Sequence, residues 1–350
     1  MVRTMTWLGR IAAVWLLGSL LGALAALGPA RWADEVTVGS IGAGAGIVVL
    51  LATLVWLIRQ GVRGRSRTIL AAIAGTILVA VAAMPVGVAV WATHPPHADV
   101  EGPAPEGALE VAIDVDDTVT LAGWYFPTTS GAAVVLSHGA GSTRDDVLRQ
   151  AEVLADAGYG VLAIDARGHG ESSGEAMDLG WWGEADISAA IDALVAIDGV
   201  DPERIGLVGI SMGGEESLGA AGQDPRVKVV VAEGATQRTA QDKSGWLPRH
   251  PLGWLQRGMD AERDVLVRWL TEAPQPRTLR SSAGASDVPV LLITAGTVPD
   301  EAAAAAWIAK GNSRVETWAV ENARHTGGLA TAPEQWRERV VGFLDAAIGT

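Results

Sequence analysis

Ser211 closes a short apolar run, Ile205 to Ile210, and glycines stand two residues before it (Gly209) and two and three after it (Gly213, Gly214). This is G-x-S-x-G at the end of a buried strand. A serine lifted onto a sharp turn from strand to helix must adopt strained backbone angles, and the residues beside it must lack side chains to avoid collision. The glycines are thus a steric requirement of a nucleophile. A free hydroxyl is a poor nucleophile near neutrality, so it needs a base within hydrogen-bond reach, and that base needs an orienting carboxylate. The chain offers six histidines and many acids from which to draw them.

The elements that must position these groups occupy the second part of the chain. From about Leu109 short apolar strands alternate with helical stretches. Val111–Val115 and Thr118–Tyr125 read as a hairpin across Asp116 and Asp117. Further strands are expected at Ala132–Leu136, Gly160–Ile164, Ile205–Ile210, Val227–Val231, Val288–Ile293 and Val315–Val320. Helices are expected at Arg144–Ala157, Glu184–Ala196, Met212–Gly222, Asp300–Ala309 and Pro333–Ala347. Such alternation predicts an α/β fold, a mainly parallel sheet covered by helices on both faces, with its site at the carboxyl ends of the strands. The stretch from Thr236 to Ala285 breaks the alternation with Trp246, Trp254 and Trp269 and four prolines. It reads as a cap insertion whose tryptophans line an acyl pocket, touch a membrane or form the core of a lid.

The first 92 residues have another character. The whole chain of 350 residues is 49% hydrophobic with a mean hydropathy of +0.25, and the excess lies in this segment. Three apolar stretches, about residues 8–27, 38–58 and 69–91, each approach the roughly 20 residues a helix needs to cross a bilayer. They predict a three-helix transmembrane anchor, with the first span also open to a cleaved signal peptide. The pairs Gly18/Gly22 and Gly42/Gly46 have the spacing that lets helices approach closely. The connection between spans two and three holds Arg59, Arg63, Arg65 and Arg67, which places that loop in the cytoplasm and everything after Trp91 outside it. A proline-rich linker, residues 93–108, follows.

Charge divides the same way. Seven arginines against Asp34 and Glu35 make residues 1–92 net +5, so the remainder carries −19 to give the chain's −14. An acidic domain of this kind repels nucleic acid, which is excluded as a partner of its catalytic face. Cysteine is absent, so neither a disulfide nor a thiolate metal site is available.

The soluble part, about 240 residues, resembles the α/β-hydrolase fold superfamily. Four stretches carry the resemblance: SHGAGS at Ser137–Ser142, DARGHGESSG at Asp165–Gly174, GISMGG at Gly209–Gly214 and His325 in ARHTGG. It implies Ser211 as nucleophile and His325, after the last strand, as its base. It implies an acid after the strand Val288–Ile293, where GTVPDE departs from the frequent Gly-x-x-Asp pattern and offers both Asp300 and Glu301. Type and proximity favour Asp300; Glu301 serves if Pro299 turns the loop further. The backbone N–H groups of Ala140 and Met212 are the implied oxyanion donors. His138, His169 and Arg167 are structural by the same resemblance. Glu215 and Glu216 tune the histidine, bind an amine or pair with a helix dipole.

The expected protein is a membrane-anchored serine hydrolase with its catalytic domain outside the cytoplasm. It would cleave an ester, thioester or amide through an acyl-enzyme, with no metal or organic cofactor. Its partners would be an acyl or other small-molecule substrate and the lipid bilayer. Acyl transfer to a lipid or glycan acceptor, or a binding protein that kept the fold without turnover, are the alternatives.

Overall fold

The computed structural model describes residues 65–349 together with Gly18. The chain divides into two units, one of Met1–Pro96 with Arg249–Glu272, the other of His97–Pro248 with Ala273–Thr350.

The second unit is built on one eight-stranded sheet. Its strands are β1 (Leu109–Asp114), β2 (Thr120–Phe126), β3 (Ala133–Ser137), β4 (Gly160–Ile164), β5 (Ile205–Ile210), β6 (Val227–Glu233), β7 (Val290–Ala295) and β8 (Val315–Val320), in the spatial order β1-β2-β4-β3-β5-β6-β7-β8. β1 pairs antiparallel with β2 and β2 with β4; every other pairing is parallel. All positions of β3, β4, β5 and β7 are buried. Continuous apolar runs such as AVVLS, GVLAI and IGLVGI suit strands covered on both faces. The sheet-edge strand β8 shows the looser pattern of VETWAV, with three exposed positions.

Residues alternate between two apolar cores. On one face Val135, Leu162, Leu207, Val230 and Leu292 pack with Ile187, Ile191 and Leu194 of α3 (Gly183–Val195), Leu218 of α4 (Met212–Ala221), Leu279 of α7 (Leu279–Ala285) and Ile308 of α8 (Pro299–Ala309). On the other face Val134, Val161, Val208, Val229 and Leu291 meet Ala151 and Leu154 of α2 (Leu148–Asp156) and Trp336, Val340 and Leu344 of α10 (Pro333–Ile348), which follows the short helix α9 (Gly328–Thr331). Burying one such Leu or Val contributes about 1.5–3 kcal/mol, so the doubly covered centre is where the sheet is most strongly held. The chain runs from β3 outward to β4, then returns to the other flank of β3 as β5. That reversal is a topological switch point, and in open α/β sheets ligands bind outside the carboxyl ends of the strands at such a point.

The insertion between β6 and β7 holds three helices: α5 (Ala240–Trp246) and α7 in the second unit, and α6 (Pro251–Leu270) in the first. In the first unit α6 packs against α1 (Arg65–Thr93), which contains the third expected span and Pro85 within it. Gly18 lies so close to α1 that a Cβ there would sit 2.7 Å from the Val79 carbonyl oxygen, the close approach that a small residue permits. Among the described residues no helix is long and apolar enough to cross a membrane. Apart from Gly18, the first two expected spans lie outside the described residues, and within α1 burial is described only at Gly75, Val79 and residues 81–93. The anchor therefore stands on the sequence alone.

Candidate active site

Ser211 sits between β5 and α4 with φ 53° and ψ −115°, a left-handed backbone that L-residues other than glycine rarely adopt. The neighbouring glycines are required by contact. A Cβ on Gly209 would lie 2.2 Å from the Gly213 carbonyl oxygen, and one on Gly213 would lie 2.4 Å from that of Ser137. The turn is tied down by Ser211 N–H donating to the Glu233 carbonyl (2.7 Å) and Gly213 N–H to that of His138 (3.0 Å).

The Ser211 hydroxyl is 2.9 Å from Nε2 of His325, and Nδ1 of the same ring is 2.7 Å from Oε1 of Glu301. With Nδ1–H donating to the carboxylate, Nε2 is left as the acceptor for the serine proton. His325 is half-exposed whereas Glu301 is buried. The other carboxylate oxygen of Glu301 accepts from the Ala295 N–H at 2.7 Å, so the acid is fixed from both sides. The Glu301 hydrogen bond raises the His325 pKa above its ordinary value, against the opposing effect of burial.

The carboxylate that meets His325 is therefore not the one that residue type favoured. Asp300 is exposed in the first turn of α8, and Glu301, one position on, points inward. Pro299 opens the helix at its first turn, where a missing N–H costs nothing, and this sets the phase of the two acids. A step of one residue turns a side chain by about 100° around a helix, enough to exchange an inward for an outward position.

The loop bearing His325 is held from β6 and β7. Thr297 Oγ1 donates to the Ala323 carbonyl at 2.6 Å. Glu233, at the end of β6, accepts from the Gly328 N–H (2.7 Å) and from Trp336 Nε1 (2.9 Å). Gly234 follows with φ 75°, and a Cβ on it would come within 2.9 Å of His325 Cε1. Neither residue stood out in the sequence. Glu233 ends an apolar strand, and that placement of an acid before a glycine was the available signal.

Opposite the serine, residues 139–142 leave the end of β3. A Cβ on Gly139 would lie 3.3 Å from Ser211 Cβ, so this loop borders Ser211. Met212 N–H heads α4, where no preceding helical turn can accept it, and Ala140 is exposed in the loop. His138 is buried, with Nδ1 bonded to the Gly139 carbonyl at 2.7 Å and Nε2 accepting from the Ala166 N–H at 2.9 Å. Burial, with His169 nearby, pushes its pKa down to about 3, so it stays neutral and supports the loop. Asp178 Oδ1 takes both the Gly141 N–H (3.1 Å) and His169 Nε2 (2.8 Å). Arg167 pairs with buried Asp186 at 2.6 Å. These side chains brace the loops around the serine.

Glu215 is buried beneath the site and accepts from the N–H groups of Thr236 (2.9 Å) and Gln237 (2.8 Å), where the insertion begins. Burial raises its pKa to about 7 against those bonds. Glu216, close to Gly180 and Gly183, is likewise raised by burial.

The structure superposes on an esterase of Pyrococcus furiosus with a TM-score of 0.56 and 24% identity, over 72% of this chain and 99% of that one. It matches an α/β-hydrolase from Penicillium with a TM-score of 0.54 and 19% identity, over 69% and 99%. The fold is that of the α/β-hydrolases. A family model described as serine aminopeptidase, S33, matches residues 128–277. Among curated proteins, the quorum-quenching protein AidA of Acinetobacter baumannii is 35% identical over 135 residues, 37% of this chain and 44% of that protein. The thiohydrolase aneE of Aspergillus aculeatus is 35% identical over 115 residues, 31% and 35% of the two chains. An uncharacterized protein of Mycobacterium tuberculosis is 34% identical over 139 residues, 37% and 49%. The chain thus spans half or less of the length of these relatives.

Proposed function

We propose that this protein is a membrane-anchored serine hydrolase that cleaves a carboxylic ester, thioester or amide through an acyl-enzyme. The observation that carries the reading is the unbroken relay from the Ser211 hydroxyl through His325 to buried Glu301. Ser211 Oγ attacks the carbonyl carbon as Nε2 of His325 takes its proton. The oxyanion forms against the N–H groups of Met212 and Ala140. The imidazolium then gives its proton to the leaving alcohol, thiol or amine, and the acyl group stays on the serine. Water, deprotonated by the same histidine, releases the acid and restores the hydroxyl. Glu301 keeps the ring in the tautomer that leaves Nε2 free to accept.

The names of the similar proteins, an esterase, a thiohydrolase and a serine aminopeptidase family, support acyl chemistry and span the three bond types. Membrane attachment and an extracytoplasmic catalytic domain rest on the apolar spans and on the arginines of residues 59–67. Membranes carrying the full chain should hydrolyse p-nitrophenyl esters, from acetate to palmitate, in a manner lost in Ser211→Ala. The chain-length optimum will size the acyl pocket, and turnover equal to that of the variant would contradict the reading.

A further inference from the structure

Helix α6 has its polarity turned inside out. Its buried positions include Asp260, Arg263 and Asp264, with Arg263 bonded to Asp264 at 2.6 Å, while Leu252, Trp254, Leu255, Val265, Trp269 and Leu270 are exposed. At about 100° per residue these six fall on one half of the helix circumference. A helix on a water-soluble core shows the reverse arrangement, apolar residues inward and charges outward. Charges drawn into the protein and apolar groups presented outward fit a surrounding that is itself apolar.

The same arrangement extends to the helix that α6 packs on. On α1, Met84, Val88 and Trp91 follow one another at helical spacing and are all exposed. Of the ten exposed large hydrophobic residues among those described, nine belong to this unit and only Leu109 to the sheet unit. A soluble surface scatters such residues singly; their gathering marks a binding face.

We infer that α6 is a membrane-surface helix that lays its Trp254–Leu255–Val265–Trp269 face into the boundary between lipid headgroups and acyl chains. Three observations choose lipid as the occupant. The face continues a helix, α1, whose sequence reads as a bilayer span. Tryptophans stand near both ends of α6, at 61% and 83% exposure, and an amphipathic indole prefers the headgroup level. Three arginines and three acids leave α6 without net charge, so apolar burial would drive its attachment, with no need of anionic lipid. Its charged positions keep α6 at the surface rather than across the membrane. The inference rests on the membrane part of the proposed function and is independent of the serine chemistry.

The natural chain has no cysteine, which makes the test direct. Trp254→Cys, Val265→Cys and Trp269→Cys, each spin-labelled in the full-length protein in phosphatidylcholine bilayers, are compared with Glu338→Cys on the exposed face of α10. Collision with oxygen, which dissolves in lipid, and with a water-soluble nickel chelate reports depth. The expected result is an oxygen-to-nickel ratio several-fold higher at 254, 265 and 269 than at 338. Ratios equal to that at 338 on a chain that floats with the vesicles would overturn this inference alone. Exclusion of both agents with spin–spin broadening would overturn it in favour of a second copy of the chain. A chain that does not float with vesicles would overturn it together with the anchor, while p-nitrophenyl ester turnover, read on the same samples, reports the serine chemistry separately.

Discussion

Glu301 Oε1 lies 2.7 Å from His325 Nδ1, whereas the neighbouring Asp300 is exposed to solvent on the first turn of the same helix. Helix phase thus turns one of two adjacent acids toward His325 and the other to solvent. Replacing Glu301 by Ala should lower kcat/KM roughly 10⁴-fold, the order found when a triad acid is removed elsewhere. Asp300→Ala should leave it within a few-fold. Steady-state kinetics on the two variants decide the point, and a larger loss from Asp300→Ala would reverse the assignment.

A pH dependence follows from the same contact. The Glu301 hydrogen bond raises the pKa of His325 above its usual 6.5, and only the neutral ring can accept the serine proton. Activity should therefore rise with pH through a midpoint above that value in the kcat/KM profile of the free enzyme. Glu301→Gln should move the midpoint to lower pH while lowering the plateau. The sign for stability is opposite. The protonated pair stabilises the fold fully below the unfolded value of about 6.5, and its contribution is lost as pH climbs through the raised folded pKa. Rate profiles and denaturant unfolding across that range test both halves.

Gly234 has φ 75°, and a Cβ there would meet the His325 ring at 2.9 Å. Gly234→Ala should displace the imidazole from Ser211 and cost on the order of 10²-fold in kcat/KM. The left-handed backbone adds about 1–2 kcal/mol of destabilisation. A variant whose far-ultraviolet circular dichroism is unchanged and whose rate is down separates misplacement from unfolding.

Glu233 ties the histidine loop to the terminal helix through the Gly328 N–H and the Trp336 indole. Glu233→Ala leaves two donors without their acceptor, each costing about 1–3 kcal/mol when buried. Glu233→Gln retains one acceptor oxygen and should recover part of the loss. Urea unfolding of the pair measures the difference, and equal stability of wild type and Glu233→Ala would contradict the role.

The centre of the sheet was legible because its inner strands are buried on both faces and so read as unbroken apolar runs, as in Ala133–Ser137, Gly160–Ile164 and Ile205–Ile210. The serine turn was legible because Gly209 and Gly213 are forced by contacts under 3 Å, which a Cβ could not meet without a backbone shift. Which carboxylate meets His325 was not, since Asp300 and Glu301 differ by one helical step and only the start at Pro299 fixes which points inward. Glu233 and Gly234 were missed because their work is done on residues about ninety positions away in the chain, at His325 and Gly328. The tryptophans of the insertion were visible in the sequence, but the inverted polarity of α6 appears only once burial shows its acids inside and its indoles outside.

The central claim is that Ser211 is the nucleophile of a covalent mechanism, and the most direct measurement is labelling by a fluorophosphonate followed by mass mapping. The wild-type chain should carry one phosphonyl group on Ser211, and Ser211→Ala should carry none. Its rate of ester hydrolysis should fall about 10⁶-fold, to the level left by binding and oxyanion donors alone. Undiminished labelling of the Ser211→Ala chain, or labelling mapped to another residue, would contradict the account.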